Sequence, residues 1–164
     1  MMKLKRIAIL AAMGCMLTTS AFAVESPFKA DEQVYPKKQL ITLDKKDVAK
    51  GKGILYGKFS FTRDMATKEQ AMKEIGFMTL KKGAAIGCHK HFFNEDAYII
   101  LSGEGIFTDG DGKETVVKAG DITIARPGQS HGLRNEKNKP LEFLDVIAQN
   151  DTYLANHPEA APKK

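Results

Sequence analysis

Two histidines one residue apart, His89 and His91, constrain this chain more than any other feature. Strand side chains alternate, so a β-strand through this stretch points both imidazoles to one face. Glu95 and Asp96 follow closely, and a third histidine, His131, lies forty residues beyond His91. A carboxylate just past the pair and an imidazole from another strand would complete a set of metal ligands. A fold that uses this set must bring distant short strands together.

The pattern along the chain agrees with that demand. Short apolar or alternating runs fall at residues 54–61, 75–80, 86–92, 97–101, 105–108, 114–118, 121–125, 131–134 and 141–148. Glycine-rich turns separate them, with Asp109-Gly110-Asp111-Gly112 reading as a hairpin signal. Residues 64–74 carry helix formers and read as a short helix or a long loop. Many short strands with even spacing predict an all-β sandwich or barrel over residues 53–149. Residues 24–52 are polar and lysine-rich and read as an extended arm, with one strand at 39–43. The Pro/Ala/Lys-rich stretch 150–164 reads as a flexible tail.

The first 23 residues read as a cleavable export signal. Lys3, Lys5 and Arg6 precede a short apolar core at 7–17, and Ala21-Phe22-Ala23 offers a small-x-small cleavage site. The core is too short and interrupted for a comfortable membrane span. Gly14-Cys15 resembles the end of a lipobox, but Ala12 stands where a larger aliphatic is usual. Cleavage leaves 164 − 23 = 141 residues, enough for one domain, in a secreted or periplasmic compartment. It also takes three positive charges, so the formal balance drops from +5 to +2. The remaining basic cluster, Lys45, Lys46, Lys50 and Lys52, is interleaved with Asp44 and Asp47 and has no aromatic platform. Nucleic acid is therefore not an expected partner. Only Cys88 remains in the mature chain, which excludes an internal disulfide.

The motif spacing carries a resemblance. Gly83 stands five residues before His89-Lys90-His91, the Glu95/Asp96 pair follows, and Gly103 closes the block. In the second block Gly120 precedes Pro127-Gly128, His131 and Asn135. This pair of blocks, over residues 76–148, resembles the two motifs of the cupin superfamily. Two departures stand out. Arg126 occupies the family's proline slot, with Pro127 one position late, and the acid in register before Gly103 is Asp96 where the family usually has Glu.

The resemblance implies a double-stranded β-helix, a jelly-roll barrel, with a metal held by His89, His91, His131 and either Asp96 or Glu95. Asp96 has the spacing and Glu95 the longer side chain, and on a regular strand the two point to opposite faces. The expected ion is Fe or Mn, with Ni, Cu and Zn as alternatives. Arg126, Tyr98 and Phe93 are candidate substrate contacts, with core or rim packing the competing reading for the two aromatics. Cys88 should face away from the imidazoles, and Asn135 should cap a turn. Metal-dependent enzyme, dioxygenase-like or isomerase, and non-catalytic small-ligand binding module are both open readings. The long arm predicts a homodimer in which it crosses to a second subunit.

Overall fold

The computed structural model describes residues 32–67, 69–149 and 151–160. The export signal therefore lies outside the described residues. The strands are β1 (Ile41–Thr42), β2 (Lys45–Lys46), β3 (Ile54–Phe61), β4 (Met72–Leu80), β5 (Ala85–Lys90), β6 (Asn94–Ser102), β7 (Glu104–Asp109), β8 (Glu114–Lys118), β9 (Ile122–Ala125), β10 (Ser130–Arg134) and β11 (Leu141–Gln149). One antiparallel sheet runs β1-β3-β4-β11-β6-β9, with β2 also on β3, and the other runs β5-β10-β7-β8. The two face each other as a jelly roll, the expected double-stranded β-helix.

Alternation explains why these runs form strands. Along β6, Asn94, Asp96, Tyr98 and Ile100 are buried while the residues between them are partly or fully exposed. β11 does the same with Leu141, Phe143, Asp145 and Ile147. The interior is filled by Leu55, Phe59, Met78, Leu80, Ile86, Ile100, Leu133, Leu141 and Phe143, so burial of these apolar side chains drives closure. Met78 fills the core, whereas Met72 is 43% exposed.

Three stretches outside the main strands take a definite form. Of the two readings of 64–74, the loop holds: among the described residues a turn hydrogen-bonded to Thr62 leads into β4, whose first residues pair with β11. The described part of the arm carries a strand where one is expected, β1 within residues 39–43, and is joined to the barrel. Ile41 is buried in the core, and β1 and β2 both pair with β3 of the same chain. Lys52 bridges to Ala85, which ties the arm to the second sheet as well. After β11 the chain forms a short helix, Asp151–Asn156, in the stretch read as a loose tail.

Gly103 shows why one glycine position is fixed. Its φ is +86°, and a Cβ there would sit 2.4 Å from the Pro140 carbonyl oxygen, which no other residue tolerates. Asn135 is fully buried at the opposite end of the barrel from the histidines. Its Nδ2 donates to the Leu80 and Lys139 carbonyls at 2.9 and 3.0 Å, the capping role expected.

Candidate metal centre

The four-strand sheet supplies the imidazoles. His89 on β5 and His131 on β10 are direct cross-strand partners. β5 ends at Lys90, so His91 lies just past the strand rather than within it. A turn compensates. Gln129 N–H donates to the Arg126 carbonyl at 2.9 Å, with Pro127 second and Gly128 third at φ +89°, the pattern of a type II turn. The same turn grips His91 on both sides: Gly128 N–H donates to the His91 carbonyl at 2.7 Å, and His91 N–H to the Gln129 carbonyl at 2.9 Å. The late proline thus occupies the position a type II turn favours, and the histidine keeps its place.

His91 Nε2 lies 3.1 Å from His89 Nε2 and 3.0 Å from His131 Nε2. Asp96 Oδ2, from the opposite sheet, is 3.4 Å from His91 Nε2 and 3.3 Å from His131 Nε2. The four candidate ligand atoms all fall within 4.8 Å of one another. Donor atoms each about 2.1 Å from a common ion stand roughly 3.0–3.4 Å apart, so the cluster fits a metal ion. Second contacts fix the rings. His89 Nδ1 donates to the Gly87 carbonyl at 2.9 Å, and His91 Nδ1 to Asn94 Oδ1 at 3.2 Å. Both arrangements leave an Nε2 lone pair aimed inward. Asp96 Oδ1 is buried without a hydrogen-bond partner among the described residues, an orphan that a cation beside the carboxylate would relieve.

The electrostatics suit metal capture. Burial lowers His91 to about 4 and also lowers His89, outweighing the nearby Asp96 charge, so both rings are neutral ligands at pH 7. Burial alone would raise Asp96, but His131 and the other groups packed around the carboxylate hold it below its ordinary value. Asp145 moves the other way, well above the usual carboxylate range, because it is buried beside the Asp96 charge. Asp145 is thus favoured in its neutral form beside the Asp96 charge.

The two acids separate as strand alternation requires: Asp96 is buried in the cluster and Glu95 lies on the other face of β6. Tyr98 is 2% exposed and stacks on His131 with centroids 4.6 Å apart at 19°. It packs behind a candidate ligand and is not open to a substrate. Arg126 is exposed in the turn that holds His91. Phe93 is half-buried and lines a cavity beside the centre. Cys88 is exposed, facing away as expected, with its Sγ 3.6 Å from the Asp109 carbonyl.

Sequence reasoning passed over Asn94 and Asp145. Asp145 left a signal: it is an acid at an inward position of the apolar run Leu-Glu-Phe-Leu-Asp-Val-Ile-Ala.

A jelly roll with three inward histidines and an inward aspartate defines a class of small metal-site barrels. The cupin-domain family pattern matches residues 76–147. The chain is 46% identical over 70 residues to the oxalate-binding protein of Thermotoga maritima, a match covering 43% of this chain and 57% of that protein. It is 30% identical over 73 residues to gentisate 1,2-dioxygenase of a Ralstonia species, covering 44% of this chain and 20% of the dioxygenase. The chain thus spans little more than half, or much less, of these curated relatives. Among solved structures, a predicted oxalate decarboxylase from Thermotoga maritima superposes with a TM-score of 0.64 and 31% identity, covering 71% of this chain and 99% of the other. This chain belongs to the cupin superfamily.

Proposed function

We propose that this cupin holds a divalent metal ion through His89, His91, His131 and Asp96 and uses it to bind a small, oxygen-rich ligand of the oxalate class. The observation that carries the reading is the convergence of three inward Nε2 atoms and one carboxylate oxygen. Similarity to the Thermotoga oxalate-binding protein supports the ligand class. Imidazole and carboxylate without thiolate favour Fe(II) or Mn(II), with Ni, Cu and Zn as alternatives. Bound there, such an ion supplies Lewis acidity for two ligand oxygens. The chain's own part is orientation: Asn94 and the Gly87 carbonyl set the ring tautomers, Tyr98 braces His131, and Asp145 steadies Asp96.

A second reading is turnover, a dioxygenase acting on an enol or phenol, favoured by the similarity to gentisate 1,2-dioxygenase. One experiment addresses both. The purified chain is expected to carry near-stoichiometric metal and to bind oxalate only when loaded. His91→Ala and Asp96→Asn should lose most of the metal while staying folded, and Glu95→Gln should keep it. Full metal retention in His91→Ala would reject the site. Oxygen uptake with Fe(II)-loaded protein and gentisate or a diketone selects the dioxygenase reading; binding without uptake selects the binding module.

We further propose export with cleavage after Ala23, checked by a mature mass that starts at Val24. No helix among the described residues is long and apolar enough to cross a membrane. We also propose a homodimer through the outer face of the larger sheet, to which the described part of the arm is paired. Phe77, Leu144, Ile99 and Ile122 form one cross-strand row on the outer face of the larger sheet, and Phe77 and Ile122 are 52% and 63% exposed. A face of that width and strand length offers roughly 700 Å², close to the ~800 Å² per partner of a stable interface. Sedimentation should show a dimer that Phe77→Lys converts to a monomer; a wild-type monomer would reject the interface.

A further inference from the structure

Lys73 occupies an irregular position in β4. Ile147 of β11 lies opposite Glu74, and the next residue, Ala148, lies opposite Met72, so Lys73 is the extra residue of a bulge. A bulge re-aims side chains that regular alternation would send to opposite faces. Lys73 and Glu74 are accordingly both buried, at 8% and 4% exposure. Lys73 Nζ donates to the Thr67 carbonyl at 2.8 Å, which holds the loop between β3 and β4 against the barrel rim. The same loop carries Arg63, whose Nε lies 4.0 Å from Glu74 Oε2.

These two cations line a cavity of about 240 Å³ together with Thr67, Phe93, Asn94 and Gln149. The cavity adjoins the metal centre. Asn94 holds His91 Nδ1 at 3.2 Å, and Ile147, also in the lining, stands directly opposite Asp96 in the sheet register. Two acids temper the positive charge: Glu69 interacts with Lys73, and Glu74 lies near Arg63 but is also engaged by Lys45 at 3.3 Å. Positive charge, an apolar wall from Phe93 and amide groups from Asn94 and Gln149 make a site for a compact anion rather than for a neutral or cationic group. The bulge places the Lys73 ammonium on the cavity wall beside the residues that support the ligand set.

We propose that Lys73 and Arg63 form an anion-binding rim beside the metal centre that takes a carboxylate of the metal-held ligand, so that the site selects small dicarboxylates over chelators without a carboxylate. The proposal rests on the metal-dependent ligand binding argued above. It places a specificity determinant on the β3–β4 loop and the bulge, away from both histidine motifs.

The test is calorimetric titration of the Mn(II)-loaded full chain with oxalate, malonate, succinate and, as a chelator lacking a carboxylate, maltol. Lys73→Met and Arg63→Gln should each weaken the best-bound dicarboxylate about tenfold or more, the loss expected for removing a charged hydrogen-bond partner. Maltol affinity should stay within about twofold, metal stoichiometry should be unchanged, and Lys73→Arg should recover part of the loss. Arg63 sits on a half-exposed loop position, 52% exposed, so Arg63→Gln keeps the test decisive if Lys73→Met unfolds. Equal weakening of dicarboxylates and maltol, or no weakening of either, overturns the rim while leaving the metal-ligand reading in place. Maltol binding without any dicarboxylate binding also overturns it. Failure of the wild-type loaded protein to bind any chelator overturns the function reading and the rim with it.

Discussion

The two ends of the barrel interior are built from the same strands and have opposite chemistry. Reading β6 from Asn94, the inward residues are Asn94, Asp96, Tyr98 and Ile100. Its neighbour β11 gives Ile147, Asp145, Phe143 and Leu141 over the same span, and β4 gives Glu74, Gly76, Met78 and Leu80. On the other sheet, His131 and His89 face each other at one end, and Leu133 and Ile86 at the other. Tyr98 stands at the border, stacked on His131 and tilted against Phe143 with centroids 4.9 Å apart. The apolar end recovers free energy from removing hydrocarbon from water. The polar end buries imidazoles and carboxyls, which costs free energy unless partners or a cation compensate. Folding is thus secured at one end, and the other is left free to hold chemistry.

The largest effect that would break this division is expected at the apolar end. Phe143 is completely buried between Tyr98 and the core leucines. Phe143→Ala should lower unfolding free energy by about 3–5 kcal/mol, the usual range for removing a buried aromatic. Under conditions where it remains folded, metal stoichiometry should be retained, because none of the four candidate ligands sits in its shell of aliphatic neighbours. Denaturant unfolding and elemental analysis of the same sample check both halves. Comparable losses of stability from Phe143→Ala and His91→Ala would erase the distinction between the ends.

The division was partly legible in the sequence. Period-two alternation located the strands, and the two histidine blocks located the polar end, because both signals are local. Asp96 against Glu95 could be framed from spacing and alternation, and burial assigns Asp96 to the cluster. Asp145 left only the trace of an acid inside an apolar run, whereas the contributions of Lys73 and Arg63 depend on register between strands far apart in the chain and on one bulge, which no local pattern encodes. The arm was legible only in part, with its strand at 39–43 expected and its second strand not. Its polar composition reads as loose chain, yet β1 and β2 are held by backbone pairing to β3, which places little demand on side chains.

The smallest expected effect sharpens the comparison through pH, in metal-free protein. His91 has an ordinary pKa of 6.5 and is lowered to about 4 in the folded chain, chiefly by burial, and His89 shifts in the same direction. Between those values the unfolded chain takes up a proton that the folded chain refuses, so stability is lost as pH falls from 6.5 toward 4. Asp145 opposes this. Burial raises it above its ordinary 3.8, so the folded chain holds a proton that the unfolded chain releases, and its contribution is lost as pH rises. The net slope of wild type therefore mixes two signs, and a variant must separate them. His91→Gln removes the lowered imidazole and leaves Asp145 in place. Unfolding midpoints at pH 7 and pH 5 should differ less in His91→Gln than in wild type, while Phe143→Ala should keep the wild-type difference on a lower baseline. An unchanged pH difference in His91→Gln would mean that the imidazole is not held neutral by burial, and the polar end would lose its claim to be preorganised for a metal.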